Sequence, residues 1–507
     1  MKRLFPVLFL IATSISAQSD IEKIKSYVSN KKYDWLKEFM EFIAIPNINP
    51  DSINLHQNAY FIQKLLNDRG VHTELLKPDM KGVAPVVYGE ILTPGATKTI
   101  AFYAHYDGQP VNPAQWLSGL SPFKPQLATD RMDRGGKFIS LPENKNDLND
   151  DWRLYGRSSA DDKAGVYAII AGYEALKESG CTAGINIKFF FEGQEEMGST
   201  NLPDIMIKYK EKLNTDLWLI ADGPRHQSGR KQVVFGVRGD VNLGINVFGA
   251  KRPLHSGNYG NWAPNPAMRL AQLLASMKDK NGNVTIKNFY TDVVPLTAAE
   301  LKALNEVPEV EELLKKELGI NKPDGGGKKY LELLSLPTLN INGFQSANVG
   351  AQAANIIPTV ASAVLDLRLV KGNNVDKQMK KVVDHIKMQG YYVTDKEPTD
   401  DERAKYPLIA QVRKIGNGYN AQRTPMNLPI AQEVIKAIQR TTPDKMVLLP
   451  SLGGSLPLYM FETILKAQPI TLTMVNYDNN QHAENENLHL KFLWEAIESV
   501  AAVMKFY

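Results

Sequence analysis

Four compact apolar runs, Thr99-Ile-Ala-Phe-Tyr103, Ile185-Asn-Ile-Lys-Phe-Phe-Phe191, Asp216-Leu-Trp-Leu-Ile220 and Ile470-Thr-Leu-Thr-Met-Val475, each pass straight into polar residues. Short apolar runs of this kind read as strands of a buried sheet, and the polar residues after them as loops opening onto one sheet edge. Helical spacing lies between them. Val166, Ile169, Ile170, Tyr173 and Leu176 recur at helical intervals, so the polar loop around Asp161 sits at a helix N-terminus. Ile21 to Ile45 predicts another helix, with Tyr27, Trp35, Phe39 and Phe42 as core contacts. From about Val237 the texture changes. Val241 to Val247 and Ala361 to Leu369 alternate as half-exposed strands do, with helical stretches between and after them. The pattern predicts an α/β protein, a mixed-sheet domain with helices on both faces interrupted by an inserted α/β domain. Its expected parts are residues 18–236 and 399–507 for the main domain and 237–398 for the insertion.

At 507 residues the chain exceeds the size at which one core keeps growing, which agrees with two domains. Its 59 Lys+Arg against 55 Asp+Glu give a formal +4, and no basic run concentrates the excess. That balance argues against nucleic acid as a partner. Lys2 and Arg3 precede a mostly apolar stretch from Leu4 to Ile15, and Ser14-Ile-Ser-Ala17 offers small residues for cleavage. Residues 1–17 therefore read as a secretory signal, and the run is shorter than the ~20 apolar residues of a membrane span. The expectation is an exported protein, periplasmic or secreted, without stable membrane insertion after cleavage. Cys181 is the single cysteine, so no intramolecular disulfide can form, and it reads as a small hydrophobe before a strand. Asp130 to Asp151 and Lys322 to Lys329 read as polar surface loops.

Five polar clusters stand at strand ends or in adjacent loops: His105-Tyr-Asp107, Ser159-Ala-Asp-Asp-Lys163, Glu192-Gly-Gln-Glu-Glu196, Ala221-Asp-Gly223 and His482-Ala-Glu484. Each alone fits a solvated face or a satisfied core histidine. Together they gather two histidines and several carboxylates at the mouth of one sheet, a donor set suited to zinc. The carboxylates would repel one another without a cation. Two cations sharing a carboxylate and a water would lower that water's pKa, and a nearby unligated carboxylate could then act as base.

At the level of motifs the chain resembles the zinc metallopeptidase family of carnosinase, cytosolic nonspecific dipeptidase, glutamate carboxypeptidase and the acetylornithine and succinyl-diaminopimelate deacylases, with the carnosinase-like branch nearest. The resemblance rests on His105-Tyr-Asp-Gly-Gln-Pro110, Gly156-Arg-Ser-Ser-Ala-Asp-Asp-Lys163, Phe191-Glu-Gly-Gln-Glu-Glu-Met-Gly-Ser199, Leu254-His-Ser-Gly257, Leu367-Arg-Leu369, Gly453-Gly-Ser-Leu-Pro457 and His482. It implies an exopeptidase, a dipeptidase or carboxypeptidase, with two divalent ions, zinc by default and manganese or cobalt as alternatives. Asp161 would bridge the ions, His105 and Asp222 would complete one site, and Glu196 and His482 the other. Glu195 would be the general base, and Asp107 would accept a hydrogen bond from His105 and fix its tautomer. A cis peptide is implied between Asp161 and Asp162. His255 would stabilise the developing oxyanion across the interface of a homodimer formed by the inserted lid domain. Arg368 would grip the substrate's free carboxylate, with Gly453, Gly454 and Ser455 as a donor loop beside it.

Some residues depart from that pattern. Ser451-Leu452 stands where the carnosinase-like branch usually has Arg-Glu, and Gly108 where valine is common. Leu452 keeps open an N-acyl amino acid deacylase using the same two ions. The polar insertion near residues 133–151 is expected to join the rim of the site.

Overall fold

The computed structural model describes residues 5–506, with side chains from Ser19 onward. Lys2 and Arg3, the charged start of the expected signal, lie outside the described residues. The first helix runs Phe5–Ala44 and carries the predicted aromatic face, with Trp35, Phe39 and Phe42 buried.

The main sheet has eight strands in the order Thr73–Leu76, Val86–Ile91, Asn186–Glu192, Thr99–His105, Leu217–Ile220, Pro469–Thr473, Gln232–Val234 and Val447–Leu449. Its four central strands, Asn186–Glu192 through Pro469–Thr473, are mutually parallel, while antiparallel pairs flank them, so the sheet is mixed as expected. Alternate side chains enter different cores. Ile187, Phe189 and Phe191 face the helices Lys163–Glu178 and Leu490–Lys505, whereas Phe190 joins the opposite core with Trp218 and Phe461. Helices therefore cover both faces. The parallel arrangement sends the C-terminal ends of four neighbouring strands to one edge, where loops must form and ligands can be held.

A second sheet follows the path Thr338–Gln345, Val360–Leu369, Gly236–Phe248, Ile409–Tyr419 and Tyr392–Thr394. Val241, Leu243, Ile245 and Val247 bury one face against the helices Pro266–Ala275 and Val375–Met388. The expected end of the insertion at 398 needs correction. Ile409–Tyr419 pairs antiparallel with Gly236–Phe248 from Val247↔Ala410 to Asp240↔Tyr419, so this unit extends to Tyr419. The Gly236–Phe248 strand also ties the two units together, since its first residues pair with Leu452–Ser455.

Residues 130–151 do more than loop through solvent. Gln126–Ala128 and Phe138–Ile139 form a hairpin that continues through Arg153–Tyr155 to Asn487–His489. This small sheet abuts the segment carrying His482.

Candidate metal centre

Strand order brings the dispersed polar motifs together. His105 ends its strand, Glu195 and Glu196 follow the neighbouring one, Asp222 follows the strand on the other side, and His482 lies in the loop beyond Pro469–Thr473. Asp161 arrives from a different direction, just before the helix Lys163–Glu178. Gly165 permits that approach: a Cβ there would lie 2.2 Å from the Ala221 carbonyl oxygen, so only glycine lets the helix start press against the Asp222 turn. Gly108 has a similar reason, because a Cβ would meet the Ser158 hydroxyl at 2.4 Å. The peptide between Asp161 and Asp162 is cis, as the resemblance implies.

Two triads result, His105 with Asp161 and Asp222, and Asp161 with Glu196 and His482, the donor atoms of each lying within 4.8 Å of one another. Asp161 belongs to both. Its Oδ1 is 3.1 Å from His105 Nε2, and its Oδ2 is 3.1 Å from His482 Nε2. Glu196 Oε2 is 3.5 Å from His482 Nε2, and Asp222 Oδ2 is 3.9 Å from His105 Nε2. Glu195 is part of neither triad, yet its Oε2 reaches within 3.9 Å of His105 Nε2.

Hydrogen bonds fix these side chains from behind. His105 Nδ1 lies 3.1 Å from the Asp107 carbonyl and 3.4 Å from its carboxylate, so the main chain shares the orienting role expected of the carboxylate alone. With Nδ1 engaged there, Nε2 faces the triad, where it meets Asp161 Oδ1 at 3.1 Å and would offer its lone pair to a bound ion. The Asp107 carboxylate also accepts the Glu195 and Glu196 N–H groups, both at 3.1 Å, and the Asn49 amide at 2.7 Å. Asp162 caps the helix through Gly165 N–H and accepts the His105 N–H at 3.1 Å. Gln109 donates to Glu196 at 2.7 Å.

The electrostatics match a cation-binding role. Burial pushes Glu196 up to about 8 and Asp222 up to about 6, and the neighbouring Asp161 charge adds to both shifts. Burial also raises Glu195 well above the usual carboxylate range, partly offset by His105. Burial opposes ionisation of Asp161 as well, but hydrogen bonds from both imidazoles pull it below its ordinary value. Packed carboxylates that resist sharing negative charge, with two imidazoles joined through a common carboxylate, fit a pair of divalent ions in chemistry and number.

A cleft of about 700 Å³ opens over this cluster, lined by Asp161, Glu195, Glu196, Asp222 and His482 and also by Arg368, Gly453, Gly454 and Ser455. Arg368 Nη1 donates to Ser455 Oγ at 2.8 Å, and its Nε lies 3.1 Å from Asp366. The predicted carboxylate-binding residues thus share one wall. His255 is elsewhere. It is exposed on the inserted unit, accepts Gly257 N–H at 3.1 Å and does not line the cleft of its own chain.

The insertion has a different place from the one expected. No residue of 130–151 lines the cleft. Instead Arg131 and Arg153 both clamp Asp478, at 3.2 and 2.9 Å, in the same loop that bears His482. Glu486, which the motif reading misses, joins that loop to the Asp161 loop. Its carboxylate accepts the N–H groups of Ser158, Ala160 and Asp161, each at 2.9 Å, and pairs with Arg157 at 2.7 Å. The only sequence signal is its place four residues after His482.

Burial would raise the Asp478 carboxyl, but Arg153, Asn476 and Arg131 outweigh it and hold the group down at about 2. A folded-state value below the unfolded one stabilises above about pH 4 and loses that contribution as pH falls toward 2. The Asp478→Asn variant is expected to lack about 2 kcal/mol of stability at pH 7 through this group alone. The deficit should shrink between pH 4 and 2 when urea midpoints are compared, and a pH-independent difference would contradict the assignment.

A family model described as Peptidase family M20/M25/M40 matches residues 101–505. Beta-Ala-His dipeptidase of Homo sapiens is 23% identical over 510 residues, covering 96% of this chain and 92% of that protein. Cys-Gly metallodipeptidase dug1 of Schizosaccharomyces pombe is 25% identical over 489 residues, covering 93% and 94%. Among solved structures, the M20 family metallo-carboxypeptidase Sso-CP2 from Sulfolobus solfataricus aligns with a TM-score of 0.74 and 27% identity, over 93% of this chain and 99% of that one. The match runs from the His105 strand to the last helix and takes in both triads, so the chain belongs to peptidase family M20/M25/M40 and is a metallopeptidase.

Proposed function

We propose that this chain is an exported exopeptidase that cleaves dipeptides or the C-terminal residue of short peptides, with Glu195 as general base. The observation carrying the proposal is the division of Asp161: one oxygen faces each imidazole, and Glu195 stands beside the pair without joining either triad. His105, Asp161 and Asp222 would hold one divalent ion, and Asp161, Glu196 and His482 the other. When bound, such ions supply Lewis acidity toward a carbonyl and acidify water near neutral pH. Glu195 takes a proton from the attacking water and returns it to the departing amine. Arg368, turned toward the cleft by Asp366 and Ser455, pairs with the substrate's free carboxylate, and the Gly453–Ser455 loop adds donors there.

His255 serves in this reading from a second copy of the chain, where its ring donates to the developing oxyanion. Its exposure on the inserted unit and its distance from its own cleft support a homodimer through that unit, as do the exposed Ile341 and Phe344 on the edge strand Thr338–Gln345. Export rests on the Lys2-Arg3 start, the mostly apolar stretch from Leu4 to Ile15 and the small residues of Ser14-Ile-Ser-Ala17. Among the described residues no helix is long and apolar enough to cross a membrane.

A second reading, N-acyl amino acid hydrolysis, is favoured by one observation. Every carboxylate lining the cleft belongs to the triads or is Glu195, and Leu452 lines the wall, so no separate acid awaits a substrate ammonium. Both readings are separated by stripping the protein of metal, reloading it with zinc, manganese or cobalt, and comparing dipeptides, tripeptides and N-acyl amino acids. Reloading should restore activity, with dipeptides fastest and amidated C-termini poorly cleaved. Faster turnover of acyl substrates would select the second reading, and no hydrolysis with any ion would reject both.

A further inference from the structure

One wall of the cleft has no use in the chemistry described above. Val310, Tyr330, Leu331 and Leu334, from the inserted unit, face the same space as Leu449 and Leu452 from the main domain. Leu331 and Leu452 pack on the buried Val234, Val447 and Leu449, so the wall has a firm apolar backing. It also has defined ends. A Cβ on Gly223, next to Asp222, would meet Leu452 Cδ2 at 3.9 Å, and one on Gly453 would meet Leu334 Cδ2 at 3.3 Å. The apolar surface therefore spans from the turn carrying a metal-triad residue to the loop whose Ser455 bonds Arg368.

We propose that Leu331, Leu334 and Leu452 form a subsite that selects substrates with a large apolar side chain beside the cleaved bond. The inference rests on the peptidase reading of the metal centre and adds what that centre selects. Partly buried leucines between two polar stations gain only when something apolar covers them, and a peptide held at both stations places its side chains there. Charged side chains would lose hydration against this wall without meeting a counter-ion on it.

The test uses metal-loaded full-length protein and two dipeptide series, X-Gly and Gly-X, with X as Ala, Leu, Phe, Asp or Lys. In at least one series kcat/KM for Leu or Phe should exceed that for Ala by about 10-fold or more and that for Asp by a larger factor. Leu334→Ser should reduce the Leu-to-Ala ratio to within about 3-fold. Leu331→Lys should move the ranking toward Asp, a change that loosened packing alone would not cause. Equal kcat/KM across both series would overturn the subsite and leave the peptidase reading standing. No cleavage of any member by fully loaded protein would overturn both. A Leu331→Lys protein that keeps the parental ranking would also overturn the assignment.

Discussion

Glu195→Gln is expected to bind two divalent ions as the parent does while losing roughly 10³-fold or more of its turnover, the range a positioned general base contributes. The geometry separates the two properties. Glu195 shares no triad, so an amide in its place removes a proton acceptor and leaves the six donor positions of the two triads intact. Its main-chain N–H is fixed on the Asp107 carboxylate at 3.1 Å, and that bond does not depend on the side chain. The amide should therefore occupy the same place. Metal content measured by elemental analysis, together with kcat on a cleaved dipeptide, checks both halves. Turnover within about 10-fold of the parent would remove Glu195 from the mechanism, and loss of one ion would make it a ligand instead.

Much of this centre is legible in the sequence because parallel strands advertise their ends. Each of the four apolar runs stops at a polar cluster, and a parallel sheet leaves those clusters no other place than one edge. The Lys163–Glu178 helix is legible from its spacing, and that puts Asp161 at its start. Residues that hold the ligands from behind give no such sign. Asp162 accepts the His105 N–H and Gln109 donates to Glu196, bonds whose partners the tertiary fold supplies. In the His482 motif attention falls on Glu484, whereas the fold buries Glu486 completely. Alternation of burial also fails where a strand has one dry end and one wet end. Ile409–Tyr419 is buried over its first three residues and exposed from Arg413 through Asn417, so no period of two marks it as a strand and the inserted unit runs past its expected end.

Glu486→Gln is expected to weaken metal binding by roughly 10- to 100-fold although Glu486 touches no ion, the usual penalty when a group orienting the ligands is altered. Its two oxygens accept four donors from the segment 157–161. Its own carbonyl accepts Gly156 N–H at 3.1 Å, and Arg157 reaches the Ala483 carbonyl at 3.0 Å. These bonds weld the loop carrying Asp161 to the loop carrying His482, the two residues whose 3.1 Å approach defines one triad. Glutamine keeps one acceptor oxygen and points an NH2 group at donors, so buried N–H groups lose their partner and the Arg157 charge loses its counter-ion. Breaking a buried pair of this kind costs about 3 kcal/mol or more, so the metal-free variant should also melt at lower temperature. Competition with a chromophoric chelator gives the affinity, and melting with and without metal gives the stability. Glu484→Gln, two residues away and outside this network, serves as the comparison and should keep the parental affinity. A Glu486→Gln protein that melts early yet binds metal within about 3-fold of the parent would show that the weld supports the fold alone and does not set the distance between Asp161 and His482.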